Sequence, residues 1–147
     1  MMNYILLFFV LTTAATNLFA QTDKRDEKIS AEIRRVMSEQ TAAWNAGDIE
    51  GFMRGYWNSP ELKFVSGTNV TKGWQPTLER YRKNYDSRAK MGILTFSDLE
   101  ITVLSKDAAV VLGTWALQRE KDKPGGKFTL IFRKLKNDWR IVHDHTS

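Results

Sequence analysis

The chain ends in Trp139-Arg-Ile-Val-His-Asp-His-Thr-Ser147, and its two histidines, His143 and His145, both flank Asp144. Three chemistries fit this arrangement. Two imidazoles two residues apart on a strand can share a metal ion, but a firm site needs a third or fourth ligand and no Glu/His motif elsewhere supplies one. No metal is therefore assigned. A carboxyl group in an apolar cavity, its pKa raised by desolvation, can move a proton, which makes Asp144 the first catalytic candidate and His143 the second. In the third reading the histidines only hydrogen-bond across a sheet and carry no chemistry. The absence of cysteine excludes thiol catalysis and Cys-based metal sites. No Gly-x-Ser-x-Gly pattern supports a nucleophilic serine, and no Gly-rich loop precedes a helix to cradle phosphate. No cofactor is expected.

The element that positions these groups is a strand whose side chains alternate between faces. Trp139, Ile141, His143 and His145 share one side; Arg140, Val142, Asp144 and Thr146 share the other. A sheet that turns polar at its end is a common way to line a pocket. Parity sends Asp144 inward with Val142 and the histidines outward, unless a bulge interrupts the strand and brings a histidine inward.

The rest of the chain supplies the scaffold. Ile29, Ile33, Val36, Gln40 and Trp44 trace one helical face, stopped at Asn45-Ala46-Gly47. Asp48 is placed to N-cap a second helix from Ile49 to about Trp57. Leu62 to Ser66 and Val70 to Lys72 read as short strands around a Gly67 turn. Gln75-Pro76 opens a third helix with Leu78, Tyr81, Arg82 and Tyr85 on one face. Four strands follow: Gly92 to Leu104, with a register slip near Ser97-Asp98, Ala108 to Arg119, Phe128 to Leu135, and the closing strand. Their short connections require an antiparallel meander.

Residues 1–20 have the profile of a cleaved signal peptide, an apolar run that breaks abruptly at Gln21. The expected mature chain, 21–147, is a single exported domain, periplasmic or secreted, with no stable membrane anchor after cleavage. The run is shorter than the roughly 20 apolar residues that span a bilayer. The net charge of +5 comes from basic residues interspersed with acidic ones, so no nucleic-acid footprint is expected. The strand from Ala108 is apolar on both sides, with Val110, Leu112 and Ala116 on one and Val111, Trp115 and Leu117 on the other. Helices can cover one face only. A homodimer through Val111, Trp115 and Leu117 is the expected cover for the other.

The order of elements, together with Trp44-Asn-Ala-Gly-Asp48, Gly73 ahead of the third helix, and the closing Trp139 to Ser147, resembles the nuclear transport factor two-like superfamily. This superfamily is also called SnoaL-like or cystatin-like α+β. The ending is similar to that of the association domain of calcium/calmodulin-dependent protein kinase type two. The resemblance implies an α+β cone: a curved, mainly antiparallel sheet wrapped around three helices in the order α-α-β-β-α-β-β-β-β, with a cavity at its open end. It also places Asp or His chemistry in the cone's interior, and it leaves the function open, since members include isomerases, dehydratases, hydrolases and proteins that only bind or oligomerise. Cavity arginines of the association domain match Thr114, Leu130 and Thr146 here, so a less cationic cavity is implied. Tyr56, Trp57, Phe64, Trp74 and Tyr81 fall where the helices and first strand meet that cavity, and Phe128 completes the lining. The ligand expected from these walls is small and hydrophobic or aromatic. A binding domain, a lyase, isomerase or hydrolase using Asp144, and a purely oligomerising domain are the functions left open.

Overall fold

The computed structural model describes the backbone of residues 5–147 and the side chains of residues 21–147. The leader expected over residues 1–20 thus lies outside the described side chains. The elements are α1 (Ile5–Asn45), α2 (Ile49–Met53), β1 (Lys63–Ser66), β2 (Asn69–Lys72), α3 (Trp74–Asn84), α4 (Arg88–Met91), β3 (Ile93–Ser105), β4 (Ala108–Gln118), β5 (Gly125–Leu135) and β6 (Asp138–Thr146). The strands form one curved, unclosed sheet in the order β2-β1-β6-β5-β4-β3. Every pairing is antiparallel except that of β1 with β6. This is the expected α+β order, with the one-turn helix α4 added.

The stripe Ile29, Ile33, Val36, Met37, Gln40 and Trp44 of α1 is buried against the sheet. Two bonds end the helix, from the Gly47 amide to the Trp44 carbonyl and from the Asp48 amide to the Ala43 carbonyl. Gly47 takes the left-handed conformation this closure requires, with φ +82°. The Arg88 guanidinium donates to the Trp44 and Asn45 carbonyls, a side-chain cap on the end of α1. The Asn45 side chain donates to the Leu94 carbonyl and accepts from its amide, acting as a short surrogate strand that fixes where β3 begins. Asp48 caps α2 by accepting from the Gly51 amide at 2.7 Å.

Helix α2 stops at Met53, short of the expected Trp57. Residues Gly55 to Trp57 instead run beside β6: the Ile141 amide donates to the Gly55 carbonyl and the Trp57 amide to the Ile141 carbonyl, both at 2.9 Å. Those two sheet-type bonds replace the final turn of helix and hold Tyr56 against the closing strand.

The register of β3 shifts between Ser97 and Glu100, with Asp98 at φ 52°, where the slip in alternation predicts a bulge. In β4 the faces are the reverse of the expectation for an interface. Val111 and Leu117 are buried in the core, at 0% and 2% exposure, and Trp115 packs against it. The helices lie over that concave face. Leu112 and Ala116 point outward and are exposed, with Val110 half-buried beside them. Val111 and Leu117 are thus covered within one chain, and Trp115 is half-buried on the same face.

Candidate active site

The concave face of the sheet, closed by α1, α2 and α3, encloses a cavity of about 240 Å³. Its walls are rich in aromatic rings. Trp44, Phe52, Tyr56, Phe64, Tyr81 and Tyr85 form a connected cluster with ring centroids 4.8–6.0 Å apart, largely edge to face. Phe96 and Phe128 meet edge to face at 5.4 Å on the opposite wall. Phe128 can reach inward because its cross-strand partner is Gly113, where any Cβ would lie 2.4 Å from the Phe128 ring.

Asp144 is the acid of this cavity and is 4% exposed. Its Oδ2 accepts a 2.7 Å hydrogen bond from the Tyr56 hydroxyl, and its Oδ1 is buried with no partner. Burial raises the carboxyl from 3.8 to about 7, and the Tyr56 bond, which favours the charged form, opposes that rise. Burial and the neighbouring carboxyl push the Tyr56 phenol well above its ordinary range. The Tyr81 phenol is raised by the same two causes and is linked to the hydroxyl of Tyr56. A short polar line, Tyr81 to Tyr56 to Asp144, thus crosses an otherwise apolar wall. At neutral pH such a carboxyl exists in both protonation states, which is the condition for a general acid or base.

Asp144 faces inward for a different reason than strand parity. Ile131 pairs with His143 and Phe132 with Ile141, so Val142 is an extra residue in β6. Across this bulge Trp139, Ile141 and Asp144 all point into the core, and Asp144 does not share a face with Val142. His145 is exposed and His143 half-buried on the outer face. Burial and the nearby Lys63 lower the His143 pKa. Neither histidine lines the cavity, and among the described residues no three His, Asp or Glu side chains gather into a metal-binding group.

The profile of the SnoaL-like domain matches residues 33–147. The chain belongs to the SnoaL-like family. An NTF-2 like protein of unknown function from Shewanella oneidensis MR-1 is 40% identical, with a TM-score of 0.78 over 80% of this chain and 98% of that one. Two more distant structures share the fold. One is a candidate calcium/calmodulin-dependent protein kinase II association domain from Xanthomonas campestris, with TM-score 0.64, 15% identity, and 79% and 84% of the two chains covered. The other is a candidate scytalone dehydratase from Novosphingobium aromaticivorans, with TM-score 0.66, 14% identity and 85% and 88% covered. No curated protein matches the sequence.

In this SnoaL-like domain the cavity brings together Asp144, Tyr56, Phe64, Tyr81, Phe128 and Leu130 of the residues expected there, and Thr146 as well. Three expected lining residues lie elsewhere. Trp57 follows the turn out of the cavity, and Trp74 donates its indole N–H to the Met53 carbonyl at 2.9 Å, tying α3 to α2. Thr114 is on the outer face of β4, bonded to Asp98 and Lys127. Trp44 and Trp115 line the cavity, as do Gln40, Arg80 and Tyr85, none of which was expected in the lining. The three-and-four spacing that placed Gln40 and Trp44 on the buried stripe of α1 was the signal for both. Trp139 is in the core, where its indole donates to Glu32 at 2.8 Å.

Proposed function

We propose that this SnoaL-like domain binds a small, largely aromatic molecule in the cavity and that Asp144 transfers a proton to or from it, as a lyase or isomerase would. The observation that carries this reading is the unpartnered Oδ1 of a buried carboxyl whose other oxygen is held by Tyr56. Native interiors seldom leave a polar oxygen unsatisfied without a function for it. The cavity also exceeds the roughly 150 Å³ that suffices for benzene, so a one- or two-ring molecule fits. Tyr56 orients the carboxyl and Tyr81 extends the polar line along the wall. The dry aromatic surroundings keep water from competing for the proton.

A neutral aromatic probe with an acidic carbon tests the general base directly. With 5-nitrobenzisoxazole the carboxylate takes the C3 proton, the N–O bond breaks, and a nitrile and a coloured phenolate form. The elimination rate should rise with pH through about 7, as the Asp144 carboxylate forms, and fall on the order of 100-fold in Asp144→Asn. A rate no faster than that of equimolar acetate, and unchanged in Asp144→Asn, would refute the catalytic role. If the cavity instead only binds, native mass spectrometry of the purified protein would still find a retained ligand.

A further inference from the structure

We propose that the rim of the cavity at the C-terminal end of α3 is an anion site made by Arg80 and Tyr85 with Arg119 alongside, and that the ligand it selects is a small aromatic carboxylate. The inference rests on the acid/base reading above, since it supplies the second polar end of the same molecule.

Arg80 is half-buried in the lining, with its guanidinium 5.3 Å from the centre of the Phe64 ring. No hydrogen bond or ion pair to another described residue occupies it. Arg119, at the end of β4, reaches the Tyr85 ring at 5.9 Å. Its one carboxylate neighbour, Asp122, is at 3.6 Å, and its Nε is buried with no acceptor. Two guanidiniums from different elements therefore lie against the aromatic wall, Arg80 over Phe64 and Arg119 over Tyr85, with hydrogen-bonding capacity unused. Both act on the Tyr85 hydroxyl, each opposing the rise in its pKa that burial causes.

This positive charge is not consumed by the catalytic acid. Phe64 is paired in register with Asp144 and its ring lies under the Arg80 guanidinium, and no ion pair joins Arg80 to that carboxyl. Burial and Tyr56 govern Asp144, with no contribution from an arginine. The cavity thus carries a cationic group, aromatic walls and a buried acid that are not paired with one another. A planar carboxylate matches the guanidinium fork and accepts from the Tyr85 hydroxyl. Like charge keeps it away from ionised Asp144, which fixes the ligand's direction and presents its uncharged end to the acid.

Isosteric 2-naphthoate and 2-naphthamide separate the charge from the shape. Binding to the full chain at pH 7.5 can be followed by quenching of the cavity tryptophans or by calorimetry. The naphthoate should bind about tenfold more tightly than the amide, a difference of about 1.4 kcal/mol. Arg80→Gln and Arg119→Gln should each reduce that preference, and Arg80→Lys should restore part of it. Equal affinity of the two probes for wild-type protein, or a preference for naphthoate that survives both glutamine substitutions, would overturn the anion site. Asp144-dependent elimination of the neutral nitrobenzisoxazole by wild type would then leave the proposed function standing. Failure of both naphthalenes to bind, with no elimination, would overturn the two together.

Discussion

Replacing Asp144 with Asn preserves the side chain's shape and removes its proton equilibrium, so the two proteins should differ in stability by an amount that depends on pH. The carboxyl moves from 3.8 to about 7 on folding. That is a shift of about three units at about 1.4 kcal/mol each, or about 4 kcal/mol in all. The sign follows from proton counts. Between those two values the unfolded chain has released the proton and the native protein still holds it, so stability falls as pH rises. The contribution is fully present below about pH 4 and is lost by the time pH has passed about 7. Asn loses nothing over this range. It keeps a neutral hydrogen bond from Tyr56, which is weaker than the charged one and trims the difference at high pH. Urea unfolding of both proteins from about pH 4 to 9 should therefore show similar stabilities at the acid end and Asp144→Asn more stable at the alkaline end by a few kcal/mol, a large share of the 5–15 typical of a domain. His143, whose pKa is lowered on folding, contributes with the opposite sign, but it is present in both proteins and cancels in the difference. A difference that stays flat across the range, or that favours wild type at alkaline pH, would mean that Asp144 is ionised and well solvated, and the acid/base reading would fall with it.

Tyr56→Phe removes the one bond that lowers the Asp144 pKa; the pH midpoint of probe elimination should move upward from about 7, and a downward or absent shift would contradict the geometry. Gly113→Ala places a methyl group 2.4 Å from the Phe128 ring, and overpacking of this kind costs about 1–3 kcal/mol in urea unfolding. It should also weaken naphthoate binding by pushing Phe128 into the cavity. A homodimer formed through the sheet would use its outer face, where Leu112 of β4 is 42% and Ile131 of β5 36% exposed. Leu112→Glu should sediment as a folded monomer where wild type sediments as a dimer, and monomeric wild type at micromolar concentration would remove the dimer altogether.

The pattern of apolar residues carried the fold because helix and strand periods differ so plainly here. The stripe of α1, the bulge of β3 and the meander of β3–β6 all follow from spacing. The motif Trp44-Asn-Ala-Gly-Asp48 has a physical content that spacing alone hides: a helix stop, a surrogate strand in Asn45, and a cap for α2. What spacing could not decide was direction. Strand β4 is apolar on both faces, and only the helices packed on one side determine which is inward, so the side that carries Trp115 and Leu117 is legible only in the folded chain. Trp57 and Trp74 were misplaced because the end of α2 is set by bonds to Ile141, some 85 residues away in sequence. Arg80 and Arg119 belong to no motif in the sequence, and only the folded chain shows the first against the Phe64 ring and the Nε of the second buried with no acceptor.

The extra residue in β6 makes the chemistry of the cavity a matter of counting. Along Ile141-Val-His-Asp-His145 the sequence carries both an acid and imidazoles, and the backbone register alone decides which of them meets the ligand. With Val142 looped out, an acid is presented; with the loop ironed flat and the strand slid by one position, His143 would occupy that place and the site would turn from a carboxyl that titrates near 7 into a base of another kind. A lineage of such domains could therefore exchange one proton carrier for another by gaining or losing the bulge, with the side chains of His143, Asp144 and His145 left unaltered.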